Sequence, residues 1–246
     1  MRDQGVTAST ASIEGTVRTN TELVPARARQ LLDFARELGD LDSLEGLSVL
    51  EAGCGFGALA TYLALTQGTD RVVGIDLRPD LIQSAIRATD EMGASQPSFS
   101  VDDMRELRSI GDEAFDVAFV NNAMLYITDS EGVPRAAASL HRVLRPGGRV
   151  VVFQANRWRL RDPFHGTPIV HLLPRPLRRP LDRRLGRPDE ASRIKLLSPG
   201  ELSRFLRTAG FTDVRVGTYA HGHVDRRSLA RFSNWIAVVA QKPRAN

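Results

Sequence analysis

Cysteine is nearly absent. Cys54 stands alone in 246 residues, which excludes an internal disulfide and suits a reducing compartment. Lysine is almost as scarce, at Lys195 and Lys242 only, so the net charge of +4 is carried by arginine. A coding bias accounts for that, and an anionic partner attracted to a basic surface is the sharper alternative. Long apolar runs are missing too. None approaches the roughly 18 residues of a membrane-spanning helix, and residues 1–15 lack the apolar core of a signal peptide. The expectation is a cytoplasmic protein with no membrane partner. What is present is ordinary for a globular chain, with 42% hydrophobic and 25% charged residues. A chain of this length buries a core without staples and suits one α/β domain, here 1–246, carrying an insertion.

Along the chain, apolar runs and helical spacings alternate. Residues 1–22 are polar and unpatterned, and are expected to be mobile. Leu31, Phe34, Ala35 and Leu38 recur at helical spacing before Gly39. Strands are expected at Leu47–Ala52, Arg71–Asp76, Ser98–Val101, Phe115–Asn121 and Arg149–Ala155. Helices separate them: one from Gly57 to Gln67, one opened by Pro79 at its first position, and one capped by Ser130. Strands that are apolar throughout, alternating with helices, imply a parallel sheet covered on both faces. The rhythm breaks over 157–197, where ten arginines and two histidines face four acids. It resumes at Ser198, with Pro199 at the first helical position and Glu201 placed for a capping box. Two further strands, around 211–219 and 234–242, lie too close for a parallel crossover and are expected to pair antiparallel.

The segment "VLEAGCGFGALA", Val49 to Ala60, opens two readings. Gly53-x-Gly55-x-x-Ala58 satisfies the dinucleotide pattern, which sets a pyrophosphate on the following helix N-terminus. Glu51-x-Gly53-x-Gly55-x-Gly57 looks like the loop that holds S-adenosylmethionine (SAM). Glu51 separates the two: a carboxylate at the end of the first strand repels a pyrophosphate, but suits the ammonium and sulfonium of SAM. Asp76, at the end of the second strand, can accept both hydroxyls of a ribose and serves either ligand. Cys54 has no activating base nearby in the pattern and reads as a packing residue.

Five segments in order and spacing, "VLEAGCGFGALA", "VVGIDLRPDLI", "VDDMREL", "FDVAFVNNAMLYITD" and "LHRVLRPGGRVVV", resemble the class I SAM-dependent methyltransferases that act on small molecules. The resemblance implies a Rossmann-like, doubly wound sheet of seven strands. Its order is 3-2-1-4-5-7-6 with strand 7 antiparallel, and the arginine-rich 157–197 insertion forms a lid after strand 5. It places Glu51, Gly53, Gly55 and Gly57 on the methionine part of SAM, Asp76 on the ribose and Leu77 against the adenine. Asp103 would accept from the adenine amine with the Met104 backbone alongside, Asp102 being an adjacent competitor, and Asn121 would lie near the methyl-transfer path.

If the acceptor must lose a proton, the candidate bases are Tyr126, after strand 4, and His165 and His171 in the insertion. His141 lies on a helix flanking the sheet and is set aside. His221 and His223, two histidines with no third ligand, do not make a metal site, and no metal is expected. The expected partner is a small-molecule acceptor of acidic or aromatic character, methylated on oxygen ahead of nitrogen or carbon, in specialised metabolism; a homodimer is compatible with this. A nucleic-acid methyltransferase is the alternative suggested by the basic charge. It is disfavoured because Asn121-Asn122-Ala123-Met124 is not the Asn/Asp-Pro-Pro-Tyr motif of exocyclic-amine enzymes. A SAM-binding protein without catalysis is a third reading, and an NAD-dependent dehydrogenase, opposed by Glu51, a fourth.

Overall fold

The computed structural model describes residues 26–91, 96–159, 173, 175–184, 194–220, 223–225 and 233–245. Residues 1–22 and His165, His171 and His221 lie outside them.

Helix α1, residues 26–39, buries Leu31, Phe34, Ala35 and Leu38, the spacing its sequence prescribes. Strand β1 (Ser48–Ala52) is buried at every residue, as a central parallel strand must be. Helix α2 (Ala58–Thr66), strand β2 (Arg71–Asp76) and helix α3 (Pro79–Glu91) follow, with Pro79 the first residue of its helix. Strands β3 (Ser98–Val101) and β4 (Phe115–Asn121) lead to a 3-10 turn, Met124–Tyr126. Helix α4 (Gly132–Val143) runs directly into strand β5 (Leu144–Ala155). Within the insertion, Arg175–Arg184 forms helix α5. Helix α6 (Pro199–Thr208) precedes strands β6 (Thr212–Ala220), β7 (His223–Asp225) and β8 (Trp235–Gln241).

The sheet has the order β3-β2-β1-β4-β5-β8-β6-β7. Its first seven positions reproduce the expected order, with β8 antiparallel to β5 (Val152 opposite Val238) and to β6. The eighth strand is a correction. His223–Asp225 folds back on the end of β6, Thr218 opposite Asp225, and three residues are too few to carry a periodic pattern.

The caps divide. Ser198 accepts from the Glu201 N–H at 3.2 Å while the Glu201 carboxylate accepts from the Ser198 N–H at 2.9 Å, the expected capping box. Ser130 does not cap α4. That helix starts one turn position later, from Glu131, with no side-chain cap bond. Two apolar layers sandwich the sheet. On one side α1 and α2 set Phe34, Leu59 and Leu63 against Val49, Phe119 and Phe153. On the other, α4 and α6 set Leu140, Leu202 and Leu206 against Ala118, Val150, Val152 and Val238. His141 belongs to that second layer, edge-on to Phe211 at 5.0 Å, away from the strand ends. Among the described residues, no helix is long and apolar enough to cross a membrane.

Candidate functional site

Parallel strands of a doubly wound sheet deliver their connecting loops to one rim, the carboxyl ends of β1, β2, β3 and β4. Here the loops are stitched to one another. Gly53 and Cys54 both donate to the Ile75 carbonyl, at 2.7 and 2.9 Å, and Asp102 donates to the Asp76 carbonyl at 3.1 Å. The Asp76 carboxylate accepts from the Gly55 N–H at 2.9 Å and, through its other oxygen, from the Arg78 N–H at 3.0 Å. Each oxygen keeps a second lone pair for a ligand hydroxyl. Leu77, beside it, is 60% exposed, as a residue facing a ligand rather than the core would be.

The three loop glycines all hold left-handed backbone, with φ of 79°, 55° and 73° at Gly53, Gly55 and Gly57. Their surroundings differ. A Cβ on Gly53 would overlap Ala123, next to the end of β4, and one on Gly57 would overlap the Phe99 ring. A Cβ on Gly55 would meet nothing within 4 Å. Gly53 and Gly57 are thus packing glycines, and Gly55 alone borders open space. The sequence pattern treats all three alike.

Glu51 is 2% exposed, and its carboxyl accepts from the Ala60 N–H at 2.8 Å. Ala60 lies in the first turn of α2, whose N-cap, Gly57, has no side chain to offer. Glu51 therefore caps α2 from the neighbouring strand and occupies the slot a dinucleotide would give to its pyrophosphate. Burial, only partly offset by the Ala60 bond and reinforced by the negative charge of Asp76, pushes its pKa up to about 8. Burial and the same two acids push the Cys54 thiol far above its ordinary value, so it is no nucleophile.

The two acids after β3 have different roles. Asp102 accepts from the Asp103, Arg108 and Ser109 N–H groups and from the Ser109 hydroxyl, which organises its own turn. Asp103 is clasped by Arg105, whose Nη2 lies 2.6 Å away, and this pairing holds its pKa below the usual carboxylate range. The Met104 methyl stands 3.2 Å from where a Gly53 Cβ would be, which ties this turn to the glycine loop. Asn121 ends β4 at the rim, and its side-chain Oδ1 accepts from the Asn122 side-chain Nδ2 at 3.4 Å. Tyr126 is 62% exposed at the end of the 3-10 turn after β4.

The rim thus brings together Glu51, Gly53, Gly55, Gly57, Asp76, Leu77, Asp103, Met104 and Asn121. Val101, 49% exposed at the end of β3, and Arg27, on α1, were not anticipated. A lone valine or arginine carries no pattern until the fold gives it neighbours. Among the described residues, no group of three or more His, Cys, Asp or Glu is placed to hold a metal.

Residues 49–148 match the family described as methyltransferase domain. The chain is 31% identical over 114 residues to the S-adenosyl-L-methionine-dependent Diels-Alderase iccD of Talaromyces variabilis, a match spanning 46% of this chain and 37% of that one. It is 35% identical over 115 residues to the ubiquinone biosynthesis O-methyltransferase of Xylella fastidiosa, spanning 47% of this chain and 44% of that one. The chain thus spans less than half the length of these curated relatives. The fold matches a TehB-like SAM-dependent methyltransferase of Corynebacterium glutamicum with a TM-score of 0.60 at 20% identity, over 95% of this chain and all of that one. The sheet order agrees with the fold of that structure, and residues 49–148 of the chain match a methyltransferase domain.

Proposed function

We propose that the protein transfers a methyl group from SAM to a small-molecule acceptor, on oxygen ahead of nitrogen or carbon, as a cytoplasmic enzyme of specialised metabolism. The observation that carries this reading is the pairing of Glu51, capping α2 from β1, with the open space over Gly55. That pairing leaves room for a ligand at the loop, but denies the helix N-terminus to a phosphate.

When bound, SAM supplies a methyl group already activated on a sulfonium. The task of the chain is then to bind, orient and exclude. Glu51 and the loop from Gly53 to Gly57 hold the methionine part, Asp76 the ribose hydroxyls and Leu77 one face of the adenine. Asp103 accepts from the adenine amine beside the Met104 backbone, in exchange for part of its contact with Arg105. Asn121 stands beside the transfer path. Aligning acceptor and methyl contributes about 7–11 kcal/mol. Tyr126, His165 and His171 are the groups assigned to accept a proton from the acceptor where its chemistry requires it.

Calorimetry with SAM, its demethylated product and NAD tests the cofactor. Tight NAD binding with no response to SAM would sink the reading. Incubation of cell extracts with methyl-labelled SAM tests the acceptor class, and label entering RNA but no small molecule would favour nucleic acid. A second reading is supported by the Diels-Alderase relative: the domain binds SAM while the chain catalyses or assists a step other than methylation. Turnover of acceptor without consumption of SAM is its signature.

A further inference from the structure

Arg27, near the start of α1, sets its guanidinium 4.5 Å from the centroid of the Phe153 ring and 4.9 Å from that of Trp235. The two rings stack, with centroids 5.6 Å apart and planes 13° from parallel. Arg159, only 7% exposed, brings a second guanidinium to 5.5 Å from the same indole. The turn that carries Arg159 is fixed. Asn156 donates from its backbone to the Asn234 carbonyl at 3.1 Å and from its side chain to the Ser233 carbonyl at 2.9 Å. It also accepts from the Trp158 N–H at 3.1 Å.

This cluster stands on the rim that carries the cofactor loop. Phe153 is the register partner of Asn121, and Trp235 that of Ala155, at the end of β5. Only β4 separates β5 from β1. Leu125, the neighbour of Tyr126, packs with Ala155 and against Trp235.

Among the described residues, the Arg27 side chain makes neither a hydrogen bond nor an ion pair. The aromatic faces stabilise its charge but do not use its donors: a ring face interacts with the cation as a whole, whereas the five N–H groups radiate in the guanidinium plane. Burial already holds its pKa below the ordinary arginine value. A half-buried cation whose donors have no partner among the described residues, beside a second cation and an aromatic floor, matches a planar anion, whose two oxygens fit a guanidinium fork.

We infer that Arg27 and Arg159, gathered around the Trp235 indole, form the receiving site for an organic carboxylate on the methyl acceptor. The inference rests on the methyltransferase reading for the identity of the ligand as acceptor. The site itself rests on the geometry of these residues. It differs from the cofactor site in charge and in position, by one strand.

The test uses benzoate and its neutral analogue benzamide as probes, with calorimetry on the full chain, alone and saturated with S-adenosylhomocysteine. Benzoate is expected to bind about tenfold or more tightly than benzamide, the range of a charge-assisted hydrogen bond. Arg27→Met should remove that preference and Arg27→Lys should keep part of it, while the affinity for S-adenosylhomocysteine stays unchanged in both. Arg159→Met provides an independent variant should Arg27→Met fail to fold. Absence of saturable benzoate binding, equal binding of the two probes, or a preference that survives both methionine variants would overturn the site. Inorganic phosphate binding as tightly as benzoate would overturn its assignment to a carboxylate. Failure of the unmodified chain to bind S-adenosylhomocysteine would overturn the cofactor reading instead, and the benzoate measurement on the chain alone keeps the two failures apart.

Discussion

Replacing Glu51 by Gln should make the ligand-free protein more stable, by an amount that grows with pH. The carboxyl is buried against α2, and its pKa is pushed up to about 8 from an ordinary 4.5. Its folded-state pKa is therefore the higher one. The stability it confers is fully present below about pH 4.5 and is lost as pH rises toward 8, because the unfolded chain ionises first. Across that window the loss approaches about 1.4 kcal/mol for each pH unit. Gln keeps a side-chain oxygen for the Ala60 N–H but cannot ionise. At about 2–4 °C per kcal/mol for a chain of this size, the melting temperatures of variant and parent should diverge by up to about 3–6 °C per pH unit between pH 5.5 and 7.5. The divergence should level off above pH 8. Melting scans across that range are the assay, and parallel curves would refute the reasoning. Ligand binding reverses the sign. A cationic ligand favours the ionised acid, so SAM binding to the parent should release a proton near pH 7. That is measurable as a dependence of the calorimetric enthalpy on the buffer. Glu51→Gln should abolish the release and weaken SAM binding by about 10- to 100-fold, the value of a hydrogen bond to a charged group.

The three loop glycines should respond differently. Gly55→Ala carries only the left-handed backbone cost of about 1–2 kcal/mol, yet should block ligand binding in calorimetry. Gly57→Ala must also displace the Phe99 ring and should cost about 2–5 kcal/mol in a denaturant titration; equal stability losses at the two sites would contradict the assignment of their roles. Asp76→Ala removes the acceptor for the Gly55 and Arg78 N–H groups and is expected to weaken SAM about 10- to 100-fold, with unchanged affinity eliminating its ribose role. Ser198→Ala dismantles the capping box and should lower stability by about 1 kcal/mol, seen as a fall of about 2–4 °C in melting temperature with SAM affinity unaltered.

Much of this was legible in the chain itself, for reasons that are local. The apolar runs of β1 and β5 and the spacing of Leu31, Phe34 and Leu38 encode elements because burial imposes a period. Pro79 and Ser198 mark helix starts because their chemistry suits only those positions. The Ser130 cap was misplaced because α4 starts from Glu131 and closes without side-chain help, which no residue pattern announces. The strand at His223–Asp225 was too short to show. The rim acids were legible because each lies within two residues of a strand's carboxyl end. The Arg27 site was not, because its partners Phe153 and Trp235 come from β5 and β8, far along the chain.

The sequence by itself determined the alternation of strand and helix, the glycine loop and the order in which acids reach the rim, since each depends on neighbours a few residues apart. Only the tertiary structure decided that Glu51 caps α2, that of the three loop glycines Gly55 faces open space, that Arg105 clasps Asp103, and that two arginines meet over one indole. Those outcomes depend on which side chains share a few ångströms once the sheet is assembled, and on the burial that assembly creates. Spacing along the chain carries no record of either.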